Sequence, residues 1–121
     1  MKKKTISFAV MLFCLAFCTS LKAQDVCKSN PSQCRLLADT AGVKIMLITL
    51  KPGDKLTTHT HPWHFGYVIK GGLYKWTSPE GEVKSAQMKE GAHFTGAPEG
   101  AHYSWNGGKT TIQFVMYEKQ Q

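Results

Sequence analysis

Past its first two dozen residues the chain has a single pair of cysteines, no run of basic residues, no long apolar segment and no window of sustained helical periodicity. Each shortage excludes something. Without a second cysteine pair, Cys27 and Cys34 cannot complete an all-sulfur metal cage. Without clustered lysines interleaved with aromatics, nothing tracks a nucleic-acid backbone, so no nucleic-acid partner is expected. The lack of an apolar helical period argues against a helical bundle. The full length of 121 residues leaves room for one hydrophobic core, and hence for one domain.

The first residues read differently. "MKKK" is a basic start, "TISFAVMLFCLAFCTS" is an apolar run too short for a comfortable spanning helix, and "LKA" places a small residue before Gln24. This order predicts a secretory signal peptide over residues 1–23, cut after Ala23. A lipid-attachment site at Cys18 fits less well, because bulky Phe17 precedes it. Cleavage removes four lysines and lowers the formal charge from +7 to +3. The expected product, residues 24–121, is secreted or periplasmic, with no stable membrane insertion. In such an oxidising compartment Cys27 and Cys34, flanking the Asn30-Pro31 turn, are expected to form a local disulfide in an N-terminal segment (24–38).

The remainder reads as short strands between turns. "VKIMLITLK" stops at "PGD"; "KLTTHTH", "FGYVIK" and "LYKWTS" follow, then "PEGE", "VKSAQMK", "HFTG", "HYSWN" and "TTIQFVMYE". Close turn spacing predicts an all-β sandwich or barrel. In the last strand Ile112, Phe114 and Met116 make one side strongly apolar, while Val115 and Tyr117 give the other a mixed character. A strand apolar on both faces predicts a homodimer contact. Trp63, Trp76 and Trp105 are expected in the core of so small a domain.

The histidines carry the chemistry. Residues two apart in a strand share a face, so His59 and His61 in "HTHPWH" project together. Pro62 and Trp63 break the strand and His64 restarts it. Three imidazoles packed together without an ion leave several ring nitrogens needing partners, so the pattern predicts a metal site. His93, just after the Glu90-Gly91 turn, reads as a surface residue.

At this point the sequence resembles a cupin. Gly53, "DKLTT", His59 and His61 match the first cupin motif, in which a glutamate follows after three or four residues and a glycine six residues later. With three, the glutamate position falls on Phe65 and the glycine on Gly72; with four, it falls on Gly66. Neither offers a carboxylate. Gly91, His102 and Asn106 keep the distances of the second motif, with the Pro98-Glu99-Gly100 turn displaced by one position. The resemblance implies a cupin-type jelly-roll β-barrel (double-stranded β-helix) with His59, His61 and His102 around one divalent transition metal, and His64 in the fourth position, as in small cupins with four histidines.

An all-histidine set suits Fe, Ni, Cu, Mn or Zn. Four ligands closing a tetrahedron imply a structural or storage role, whereas an octahedron leaves two positions open for a small-molecule substrate. Proton transfer then falls to groups outside the ligand set, of which Glu99, Tyr103 and Tyr67 are nearest in sequence; Asn106 reads as a turn residue. The expected function is a metal-dependent oxygenase, isomerase or lyase acting on a small organic molecule. The alternatives are a non-catalytic metal or small-ligand carrier, and a barrel whose histidines stay empty.

Overall fold

The computed structural model describes residues 25–120; the predicted signal peptide, residues 1–23, lies outside them. A four-residue helix, α1 (Val26–Ser29), is followed by nine strands: β1 (Cys34–Thr40), β2 (Val43–Leu50), β3 (Lys55–His61), β4 (His64–Lys70), β5 (Gly72–Thr77), β6 (Val83–Met88), β7 (His93–Gly96), β8 (Glu99–Asn106) and β9 (Ile112–Lys119). They form a five-stranded sheet ordered β1-β2-β9-β4-β7 and a four-stranded sheet ordered β3-β8-β5-β6. All pairings are antiparallel. This is the all-β architecture that the turn spacing predicted, in the jelly-roll form that the resemblance implied.

Alternation decides which side chains fill the space between the sheets. Met46, Ile48 and Leu50 of β2 and Ile112, Phe114 and Met116 of β9 are buried, together with Leu56 of β3 and Val68 of β4. Full burial of such side chains contributes about 1.5–3 kcal/mol each. The tryptophans do not join them, contrary to the expectation from domain size. Trp63 is exposed on the outer face, and Trp105 is half-buried and stacks on Tyr103. Trp76 lines a cavity. Aliphatic and methionine side chains with Phe114, mostly on β2 and β9, fill the core, and the tryptophans lie at surfaces and on the cavity wall.

Strand β1 was not read from the sequence. Its residues "CRLLADT" lack alternation, Leu36 and Leu37 are both largely exposed, and the register shifts between Leu36 and Ala38. A bulge on an edge strand breaks the two-residue period on which recognition depends.

The N-terminal segment is tied to the barrel by polar contacts. Asp25 Oδ1 accepts from the backbone N–H of Cys27 and Lys28, capping α1. Its Oδ2 meets Lys44 Nζ of β2 at 2.7 Å. A disulfide joins Cys27 and Cys34, whose α-carbons are 4.7 Å apart. Inside the loop it closes, buried Asn30 donates to Val26 O at 2.9 Å and accepts from Thr57 N of β3 at 2.9 Å.

Two motif glycines serve turns. Gly53 and Gly91 have φ of 83° and 79°, a region open to glycine at no steric cost. The first lies in the tight turn between β2 and β3, where Asp54 N donates to Lys51 O; the second lies between β6 and β7 and donates its N–H to Val68 O. Asn106 is more than a turn residue. Buried at the end of β8, it donates to Leu50 O and Thr110 O and accepts from Gly108 N.

Candidate metal centre

The segment His59 to His64 spans a corner where the chain leaves one sheet for the other. His59 and His61 end β3 in the four-stranded sheet, and His64 begins β4 in the five-stranded sheet. Pro62 has no N–H to continue a ladder, so the corner falls there. His102 on β8 stands directly opposite His59 in the β3–β8 register. All four rings are buried.

His59, His61 and His102 each offer a ring nitrogen within 4.8 Å of the other two. Ring centroids are 4.5 Å apart for His59–His61 and His59–His102, and 5.2 Å for His61–His102. The His64 ring flanks this trio, 4.9 Å from that of His61. Its far edge rests against Gly96 of β7, where a side chain would collide with it.

Hydrogen bonds to Nδ1 set the tautomers. His59 Nδ1 donates to Thr57 O at 2.6 Å, His64 Nδ1 to Pro62 O at 2.9 Å and His102 Nδ1 to Gly100 O at 2.8 Å. A carbonyl oxygen only accepts, so Nδ1 must carry the proton and the neutral ring keeps its lone pair on Nε2. His61 Nδ1 lies 2.7 Å from Glu118 Oε1, the carboxylate–histidine pairing that orients metal ligands. His59 Nε2 is buried without a hydrogen-bond partner among the described residues. An orphaned lone pair facing two neighbouring rings is costly in a protein of this density and is what a cation would satisfy. The residues therefore fit a divalent transition metal.

Electrostatics reinforce this. Burial first, and the neighbouring His61 and His102 after it, push the His59 ring down to about 3. Burial, then His64 and His102, push His61 down to about 3 as well. Both rings stay neutral and available as ligands over the ordinary pH range. Burial moves the Glu118 carboxyl above its usual range.

Strand β4 explains the missing carboxylate. His64, Gly66 and Val68 are buried, while Phe65 and Tyr67 are exposed. Phe65 thus points outward, where its ring stacks on exposed His93 at 5.7 Å. Gly66 points inward, but the Phe94 ring of β7 covers it so closely that any β-carbon there would collide. Neither motif position has room and direction for a carboxylate aimed at the trio.

A cavity of about 410 Å³ adjoins the cluster. His61, His64 and His102 line it, with a largely apolar wall that includes Leu56, Trp76, Phe94, Phe114 and Met116. Glu99 also lines it, with Oε2 at 3.8 Å from His102 Nε2. Tyr103 and Tyr67, the other groups near the motifs in sequence, are largely exposed. Sequence reasoning passed over two residues. Glu118 continues the inward parity of Ile112, Phe114 and Met116, and a carboxylate in that apolar series was the available signal. Tyr74, whose hydroxyl is pushed up to about 12 by burial and so stays protonated, lines the cavity from β5 and gave no signal of its own.

Comparison with known proteins places the fold. No protein-family model matches the chain, and no curated protein matches it. Among solved structures, a cupin domain from Bordetella pertussis matches with a TM-score of 0.66 at 22% identity, covering 73% of this chain and 92% of that one. An RmlC-like cupin family protein with a double-stranded β-helix fold from Methanocaldococcus jannaschii matches with a TM-score of 0.61 at 19% identity, over 72% of this chain and 78% of that one. An uncharacterized conserved protein with a double-stranded β-helix domain from Klebsiella pneumoniae gives 0.59 at 18% identity, over 81% of this chain and 89% of that one. Identities this low speak to architecture. The chain has the cupin fold, a double-stranded β-helix with a three-histidine cluster on its inner face.

Proposed function

We propose that the protein binds one divalent transition metal (Fe, Ni, Cu, Mn or Zn) through His59, His61 and His102, with His64 beside them, and acts on a small organic molecule held in the adjoining cavity. The observation that carries this reading is the buried, unpartnered His59 Nε2 within a trio of rings whose Nδ1 atoms are already committed. Bound there, the metal would supply Lewis acidity and, for the redox-active ions, one-electron chemistry.

The chain's own residues divide the remaining work. Thr57 O, Gly100 O and Glu118 fix the rings and their tautomers. The apolar wall excludes water and orients an apolar substrate body toward the histidines. Tyr74 can donate a hydrogen bond and Glu99 can accept one inside the cavity. The reaction class best served is a metal-dependent oxygenase, isomerase or lyase. The absence of an assigned general base favours a second reading, a carrier of a metal or small ligand without turnover. The leader expected over residues 1–23 and the Cys27–Cys34 bond support residence outside the cytoplasm, secreted or periplasmic. Among the described residues no helix is long and apolar enough to cross a membrane.

Elemental analysis of the untagged protein, prepared without added metal beside a His59→Ala/His61→Ala variant, tests the site. About one equivalent of metal per chain, lost in the variant, is the expected result. A parent protein that holds none even after reconstitution overturns the reading.

A further inference from the structure

The two sheets end on β6 and β7, which pair with β5 and β4 but not with each other. The cavity beside the histidines reaches the surface along this gap. Gln87 of β6, Lys89 and Ala92 of the following turn, and Thr95 of β7 line it and are exposed. Strand register gives the slot a direction. Gly71, just past the end of β4, lies against Lys89, whose α-carbon is 3.4 Å from where a β-carbon of residue 71 would stand. Roughly 20 Å of strand, at about 3.3 Å per residue, separates that point from His64. The other sheet keeps the same order, from His102 through Ser104 opposite Trp76 and Asn106 opposite Tyr74 to Gly72 opposite Met88, next to Lys89.

Apart from histidines, the wall holds one carboxylate and one cation, and they stand at opposite ends. Glu99 is brought to the histidine end by a bulge in β8: His59 lies opposite His102 and His61 opposite Glu99, so two steps along β3 match three along β8. Lys89 stands at the other end and forms no salt bridge among the described residues. Between the ends the wall is aromatic. Ring centroids are 5.8 Å apart for Trp76 and Tyr74, 5.9 Å for Tyr74 and Phe114, and 5.6 Å for Phe114 and Phe94. The two pairs that include Phe114 meet edge to face, an arrangement that a further flat ring can extend.

We propose that the slot takes an aromatic carboxylic acid, with its rings among these four aromatics, its carboxylate on Lys89 and its far end at the histidines. Lys89 is then a specificity-determining residue. The flexible lysine stem turns its ammonium toward the ligand, where a charge-assisted hydrogen bond holds the carboxylate. Glu99 repels a carboxylate from the histidine end, so the two charges together fix one orientation. The inference deepens the functional reading above and rests on it for the reaction, but capture of the acid by Lys89 does not need the metal.

The test uses biphenyl-4-carboxylate as the probe, with the neutral biphenyl-4-carboxamide and the aliphatic decanoate beside it. Each is titrated into the untagged protein, as purified and after metal removal, with affinity read by calorimetry and by quenching of tryptophan fluorescence. The acid should bind more tightly than the amide by about threefold to fivefold, the size of an exposed ion pair, and more tightly than decanoate. Lys89→Gln should abolish the preference over the amide, Lys89→Arg should restore it, and Lys28→Gln on the exposed face of α1 should leave it unchanged. Trp76→Phe should remove most of the quenching, which places the probe in the slot. Equal binding of acid and amide by the parent, a preference that survives Lys89→Gln, or no binding of either overturns the proposal, and decanoate binding as tightly as the acid overturns its aromatic part. A preference that ignores Lys89 and disappears with the metal overturns it too, while leaving the metal site standing.

Discussion

The imidazoles of His59 and His61 are the residues on which stability and site availability meet. In the unfolded chain each takes up a proton near pH 6.5; in the fold each refuses it until about pH 3, because burial and neighbouring rings penalise the charged form. Protons therefore favour the unfolded state through this window. Stability is fully present above pH 6.5 and is lost as pH falls toward 3. Glu118 works in the opposite sense, since its raised folded value favours the native state as it takes up a proton. The expected outcome for the chelator-treated protein is a melting temperature that falls steadily from neutral pH to about pH 4, and a shallower fall in a His59→Gln/His61→Gln variant. A pH-independent melting temperature in the parent would contradict it. Of these side chains, the histidines were legible because strand parity alone puts residues two apart on one face. Glu118 was not, because its partner is 57 residues away and only the barrel's closure brings them together.

At the level of elements, β4 and β7 interlock: Gly66 pairs with Phe94 and Gly96 with His64, so each strand offers a glycine to the other's ring. This exchange leaves no room for a carboxylate at Gly66, while Phe65, the other motif position, faces outward. It also predicts that inserting one is resisted. Gly66→Glu should destabilise the protein by about 1–3 kcal/mol or more through overpacking, and adding Phe94→Ala should recover part of the loss. Thermal melts of the single and double variants decide this; a single variant as stable as the parent would show that β7 yields freely. The sequence revealed β2 as a β-branched apolar run, β9 through alternation, and most other strands through the turns between them, Gly53 and Gly91 included. It hid β1, whose bulge and exposed leucines erase the period, and it hid the reach of Glu99. That residue was noted only as one of three proton-transfer candidates near the motifs, because a bulge that reverses a side chain leaves no mark in composition.

For the molecule as a whole, the outer face of the five-stranded sheet is the next consideration. Ile45, Trp63, Phe65, Tyr67, Val115 and Tyr117 form a continuous shallow depression across β2, β9 and β4, with Trp63 edge-on to Tyr117. None of these six is charged. We propose that a second copy of the chain covers this face through a two-fold contact. Two copies of equal positive charge repel least where neither presents charge, and an isologous contact needs only one self-matching patch. Light scattering should give twice the chain mass, and Tyr67→Lys/Val115→Lys should return it to one. A monomer at micromolar concentration argues against the contact.

The N-terminal loop reaches the metal cluster by a short route. The cysteines close the loop that holds Asn30, Asn30 receives the Thr57 N–H, and the carbonyl of the same residue, Thr57, receives the His59 Nδ1 proton. Four side chains and one residue's backbone thus link a redox event to the orientation of a ligand. Before those thiols join, this chain of contacts lacks its outer constraint, while β3 stays paired with β8. The expected outcome is an order of assembly: reducing the Cys27–Cys34 bond in the metal-stripped protein should weaken its uptake of a divalent ion, and equal uptake by the oxidised and reduced forms would contradict it.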